Sequence, residues 1–112
     1  MRVSEKIRIM TGDTLIGMSL KAGVDKQVLR KWHNKKDKKF DLVINGCIKP
    51  LLKVKKGTLI EMIHYAGLPS IAELSRISGV SRETLYRWHE SEKKRKLFIA
   101  LLRGARKWKL EN

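Results

Sequence analysis

Two short stretches carry side chains suited to recognition rather than to bond-breaking. Residues 81–90 read SRETLYRWHE. A helix there would bring Ser81, Arg82, Glu83, Tyr86 and Arg87 within about two turns of one another. Arg82 and Arg87 carry forked N–H donors that pair with guanine O6 and N7 or clamp a phosphate. Glu83 can accept from cytosine N4 or orient an arginine, and Tyr86 can stack on a sugar or donate to a phosphate. Residues 25–34, DKQVLRKWHN, hold Lys26, Gln27, Arg30, Lys31 and Asn34 at the matching positions. The amides of Gln27 and Asn34 can read adenine bidentately. Basic runs follow both stretches: Lys35, Lys36, Lys38 and Lys39 after the first, Lys93, Lys94, Arg95 and Lys96 after the second. Cations of this kind meet phosphates, which position a protein on a duplex without specifying sequence.

The remaining reactive side chains do not assemble into a catalytic pattern. No Ser-His-Asp, Cys-His or paired-carboxylate spacing occurs, so no catalytic residue is assigned and the chain is expected not to be an enzyme. His33 and His89 recur without companions at ligand spacing, so no metal or other cofactor is expected. Each histidine is expected at a helix C-terminus, facing the dipole or a phosphate. The single cysteine, Cys47, excludes an internal disulfide and a cysteine-ligated zinc; it falls on an apolar stripe as a small core residue. Trp32 and Trp88 could stack on bases. Their phase with Leu29 and Leu85 assigns them to the core instead.

The elements that must position these side chains are legible around residues 70–90. Ile71, Leu74 and Ile77 recur at helical spacing, and Ser70 with Glu73 is a capping box. Gly79 supplies a sharp turn, Val80 packs inward, and Ser81 caps a second helix with Leu85 and Trp88 on its inner face. Helix, tight glycine turn, helix is the helix-turn-helix unit, whose second helix can lie in the DNA major groove. The stretch resembles the helix-turn-helix superfamily of phage and bacterial regulators and of transposase or resolvase ends. VSRETLYRW is similar to their recognition helices; where the family most often has alanine before the glycine, Ser75 stands here. The resemblance implies a mode of binding duplex DNA.

Shifted by 56 residues, the motif finds a partner. Ser19, Gly23, Val24, Leu29, Trp32 and His33 match Ser75, Gly79, Val80, Leu85, Trp88 and His89, six identities in fifteen positions. The chain therefore reads as all-α, about eight short helices, with two helix-turn-helix units related by an internal repeat. The first unit spans residues 1–50, a linker 51–57, and the second unit with its C-terminal helix 58–112. In the first unit, Ser4 is expected to cap a helix over 4–11 that Gly12 stops. Asp13 or Thr14 caps 14–22, where Gly17 costs about 1 kcal/mol relative to alanine. Asp25 caps a helix to about Asn34. Asp37 caps a helix with Phe40, Val43, Ile44, Cys47 and Ile48 as its stripe, which Pro50 stops. In the second unit, Thr58 with Glu61 boxes a helix over 59–66 whose face is Leu59, Ile60, Met62 and Ile63, ended by Gly67 and Pro69. Ser91 caps a last helix over 92–107 with Leu97, Phe98, Leu101 and Leu102 inward. In this alignment Leu42 and Val43 match Phe98 and Ile99.

Composition narrows the partner. Of 112 residues, 26 are Lys or Arg and 11 Asp or Glu, a formal net charge of +15. The halves carry 15 basic against 5 acidic and 11 against 6, so neither is purely protein-facing. Such a field favours a polyanion, nucleic acid before an anionic membrane surface. No signal peptide or membrane span is expected, which places the chain in the cytoplasm. The expectation is a sequence-specific double-stranded DNA-binding protein, a small phage or mobile-element transcriptional regulator. RNA polymerase and self-association are its further candidate partners, and no membrane is. The alternatives are a DNA-packaging or recombination accessory protein, and an RNA- or host-protein-binding inhibitor. If both units dock, they cover consecutive major-groove segments about 34 Å apart, with a bipartite, asymmetric footprint.

Overall fold

The computed structural model describes residues 2–47 and 57–111; Ile48, Pro50 and the linker at 51–56 lie outside them. Eight helices and no strand occur among the described residues. They are α1 (Val3–Thr11), α2 (Leu15–Ala22), α3 (Lys26–Asn34), α4 (Lys38–Cys47), α5 (Leu59–Tyr65), α6 (Ile71–Ser78), α7 (Arg82–Glu90) and α8 (Glu92–Glu111). Local chemistry sets most of their ends. The side chains of Thr14, Asp25, Thr58, Ser70 and Ser81 each accept from a first-turn N–H, satisfying donors the helix leaves orphaned. Gly23 and Gly79 end α2 and α6 at φ 69° and 74°, a left-handed conformation that any Cβ would strain.

Some boundaries differ from the sequence expectation. Ser4 does not cap α1; Arg2 holds that place without a side-chain cap bond, because Val3 is buried and belongs to the helix. Ile60 is not on the inner face of α5: it is 68% exposed, one residue out of phase with buried Leu59, Met62 and Ile63. The Ser70 box is half-made, since Glu73 turns to Arg76 instead of reaching back. Helix α8 runs past Lys107 to Glu111; Gly104, inside it, is kept helical by packing.

That packing joins the two halves. Helices α4 and α8 cross antiparallel with their backbones almost touching. A Cβ on Gly46 would overlap the Ala100 carbonyl, and a Cβ on Gly104 would overlap the Leu42 carbonyl. Around this crossing Phe40, Val43 and Ile44 of α4 meet Leu97, Phe98, Leu101 and Leu102 of α8, all buried, in a core that also takes Met18, Leu29, Leu74 and Leu85. Both sequence units thus feed one core, and the 13.1 Å radius of gyration equals the roughly 13 Å of a single compact domain of this length.

Equivalent places in the two halves run at two spacings. Helices α2 and α3 with Gly23 between them have the same boundaries as α6 and α7 with Gly79 at a spacing of 56 residues. The Ser19 hydroxyl donates to the Val24 carbonyl as Ser75 does to Val80. In the last helix the spacing is 58, with Phe40 in the place of Phe98 and Gly46 in that of Gly104. The match of Leu42 and Val43 to Phe98 and Ile99 is therefore two residues out of register: α8 begins with extra residues at its N-terminus that α4 lacks.

Candidate nucleic-acid interface

Helices α3 and α7 are held by their inner faces. Leu29 and Trp32 of α3 and Leu85 of α7 are buried, and Trp88 is half-buried against the same core. The outer faces are polar. Lys26, Gln27, Arg30, Lys31 and Asn34 of α3 are all exposed. So are Arg82, Glu83, Tyr86 and Arg87 of α7, with the cap residue Ser81. Of these, Arg87 donates to the Thr84 hydroxyl at 3.2 Å, which in turn accepts from Ser81 at 2.9 Å. This short chain holds one guanidinium along α7, while the cap itself faces the Thr84 N–H. The structure thus brings each of the two candidate reading sets together on one helix face.

The basic runs divide. Lys35, Lys36, Lys93 and Lys94 are exposed; Lys36 sits at φ 53°, turning the chain sharply after α3. The other four cations work inside the protein. Lys38 donates to the Arg76 carbonyl at 3.1 Å in the last turn of α6, and Lys96 donates to the Leu20 carbonyl in the last turn of α2. Each lysine thus caps a helix C-terminus of the opposite half, where the dipole favours a cation. Lys39 pairs with Asp37 at 3.0 Å and lies over the Trp32 ring. Burial opposes ionisation of Asp37, but bonds from the Lys39 N–H and ammonium outweigh it and hold the carboxyl below its ordinary range. Arg95 donates to the His89 carbonyl at 3.1 Å. A phosphate meeting Lys38, Lys39, Arg95 or Lys96 would share a cation that already has an acceptor within the protein. Sequence reasoning missed the bonds of Lys38 and Lys96 because nothing local marks a lysine whose acceptor lies 38 or 76 residues away.

The recurring histidines sit in the last turns of α3 and α7. His33 packs on Phe40 with ring centroids 5.3 Å apart, and His89 on Phe98 at 5.7 Å. His89 Nε2 also lies 2.9 Å from the Gly57 carbonyl. They hold the ends of α3 and α7 to α4 and α8. Among the described residues, no group of three His, Cys, Asp or Glu is placed to hold a metal ion. Cys47 is partly buried, and burial pushes its thiol up to about 11. No helix among the described residues is long and apolar enough to cross a membrane.

The fold and site define an all-helical, strongly basic chain with two outward polar helices on one core. No protein-family model, curated protein or solved structure matches it.

Proposed function

We propose that the chain is a sequence-specific double-stranded DNA-binding protein, a small transcriptional regulator of phage or mobile-element type. One observation carries this reading: after left-handed Gly23 and Gly79, a helix is pinned by buried Leu29 and Trp32 or Leu85 and turns its polar set to solvent. The net charge of +15 supplies attraction to the phosphates. Lys35, Lys36, Lys93 and Lys94 anchor the backbone while Arg82, Arg87, Gln27 and Asn34 read base edges. The action is steric, by occupying a promoter and blocking or recruiting RNA polymerase; it needs no catalytic group or cofactor. The work is cytoplasmic, where a lone cysteine stays reduced.

Selection of bound sites from a random duplex library tests the reading, followed by affinity measured against salt. The expected result is a defined motif and an affinity that falls steeply as salt rises. Arg82→Ala should then cost about 1–3 kcal/mol on the selected site and less on random duplex. No enriched motif, or a flat salt response, would overturn it. Structured RNA is the control competitor; its deep, narrow major groove does not admit side chains. RNA outcompeting duplex would favour the inhibitor alternative.

A second reading, an accessory protein for DNA packaging or recombination that assembles on DNA, is favoured by a separate feature. Ile9, Ile16 and Leu20 on α1 and α2 are 72%, 62% and 68% exposed. Sedimentation on the selected duplex separates the two: a defined small complex supports the regulator, growing oligomers the accessory protein.

A further inference from the structure

Three contacts that tie the two halves together occur twice, with the roles exchanged. Gly46 of α4 lies against Ala100 of α8, and Gly104 of α8 against Leu42 of α4. Lys38 of α4 caps α6 at Arg76, and Lys96 of α8 caps α2 at Leu20. The Lys96 side chain passes over Gly23, and the Lys38 side chain over Gly79. Leu20 and Arg76 are equivalent at the 56-residue spacing; Lys38 and Lys96, Leu42 and Ala100, Gly46 and Gly104 are equivalent at 58. A contact from A to B matched by one from the equivalent of B to the equivalent of A is the signature of a two-fold axis. Units related by simple translation along the chain would make each contact once, in one direction.

We infer that the helix-turn-helix units are related by an approximate two-fold axis through the α4–α8 crossing, and that one chain takes a duplex bearing two unlike half-sites in inverted orientation. This rests on the DNA-binding reading and specifies its ligand. Half-sites read by two-fold-related helices run head to head on opposite strands. The α4–α8 contact is inside one polypeptide, so assembly of the pair does not depend on protein concentration. The half-sites are unlike because the reading sets differ: Lys26, Gln27 and Arg30 on α3 face the same task as Arg82, Glu83 and Tyr86 on α7. The ligand is therefore symmetric in backbone arrangement and asymmetric in bases.

The experiment takes the full chain and the motif from the library selection. Four duplexes are compared: the two half-sites inverted, the same half-sites as a direct repeat, and each half-site alone with the other scrambled. Binding affinity is measured together with mass of the complex. The expected result is one chain per duplex and an inverted site bound at least about tenfold more tightly than the other three. The Lys26→Ala, Arg30→Ala double variant should lose most of that advantage while keeping its affinity for the α7 half-site. A direct repeat bound as tightly, a single half-site bound as tightly, or two chains on the inverted duplex would overturn the inference while leaving DNA binding intact. Enrichment of no duplex would overturn the DNA-binding reading and this inference with it.

Discussion

Gly46→Ala tests the α4–α8 crossing directly. In a free helix the change should stabilise, because alanine is favoured over glycine by about 1 kcal/mol. Here the new methyl would overlap the carbonyl of Ala100 and crowd the Gly104 nitrogen, all of it backbone. A flexible side chain could rotate aside; a helix backbone cannot, so α4 and α8 must move apart and loosen the contacts of Val43, Ile44, Leu101 and Leu102. Overpacking of this kind costs about 1–3 kcal/mol, and backbone overlap belongs at the upper end. Net of the propensity gain, the loss is about 2 kcal/mol. With an unfolding entropy of about 0.24 kcal/mol/K for a chain of 112 residues, the melting temperature should fall by about 8 °C. Gly104→Ala should behave alike. The double variant should lose less than the sum, because helices already separated by one methyl admit the second more easily. Thermal unfolding followed by circular dichroism measures all three. A parent-like or raised melting temperature for either single variant would refute the close crossing. Strict additivity would show that the two glycines do not share one interface.

The remaining predictions follow from placement. Lys38→Met and Lys96→Met should each lower stability by about 0.3–1 kcal/mol through loss of a cation at a helix C-terminus, and leave the salt dependence of DNA binding unchanged; Lys93→Ala with Lys94→Ala should do the opposite, and salt titrations beside denaturant melts compare them. Trp32→Ala should cost about 3–5 kcal/mol, and Trp88→Ala distinctly less because that ring is half-exposed; equal losses in urea unfolding would contradict the burial difference. Cys47, raised by burial to about 11, should be alkylated far more slowly at pH 8 in the fold than in urea. Its contribution to stability is complete below the unfolded value of 9.0 and is lost as pH rises toward 11. Equal alkylation rates in fold and urea would place the thiol in solvent.

What the sequence made legible was local. Thr14, Asp25, Thr58, Ser70 and Ser81 cap helices through atoms two or three residues away, and Gly23 and Gly79 turn the chain by their own φ. The polar faces of α3 and α7 followed from the phase of Leu29 and Leu85, because helical period alone separates inner from outer face. What stayed hidden depends on a partner distant in sequence. Gly46 and Gly104 look like weak points of two helices until α4 and α8 are laid together. Lys38 and Lys96 look like members of basic runs until α6 and α2 end beside them. Gly17 reads as a plain helix interior, yet a Cβ there would strike the Asp13 carboxylate, which pairs with Lys21 at 2.6 Å and accepts from the Thr14 N–H. The two-residue shift in α8 was hidden because apolar still meets apolar at the 56-residue spacing in the middle of the helix, where Leu42, Val43 and Ile44 fall on Phe98, Ile99 and Ala100.

The dimensions of the fold bear on the spacing of the two proposed half-sites. The principal extents are 36 × 28 × 23 Å. A helix has a Cα radius of about 2.3 Å, so along the long axis no two helices can have axes more than about 31 Å apart. Consecutive major-groove segments on one face of straight B-DNA lie about 34 Å apart. If α3 and α7 dock together, the duplex must curve toward the chain to close the difference. Bending a site of this length by 40–90° costs on the order of 1–6 kcal/mol, and the cost depends on the sequence that is bent. The base pairs between the half-sites, which neither helix touches, should then contribute to specificity. A spacer with a flexible TA or CA step should bind more tightly than a stiff A-tract of equal length, and fluorescence transfer between dyes at the duplex ends should rise on binding. Affinities indifferent to the spacer, with unchanged transfer, would mean that the duplex stays straight and that α3 and α7 do not sit in consecutive grooves.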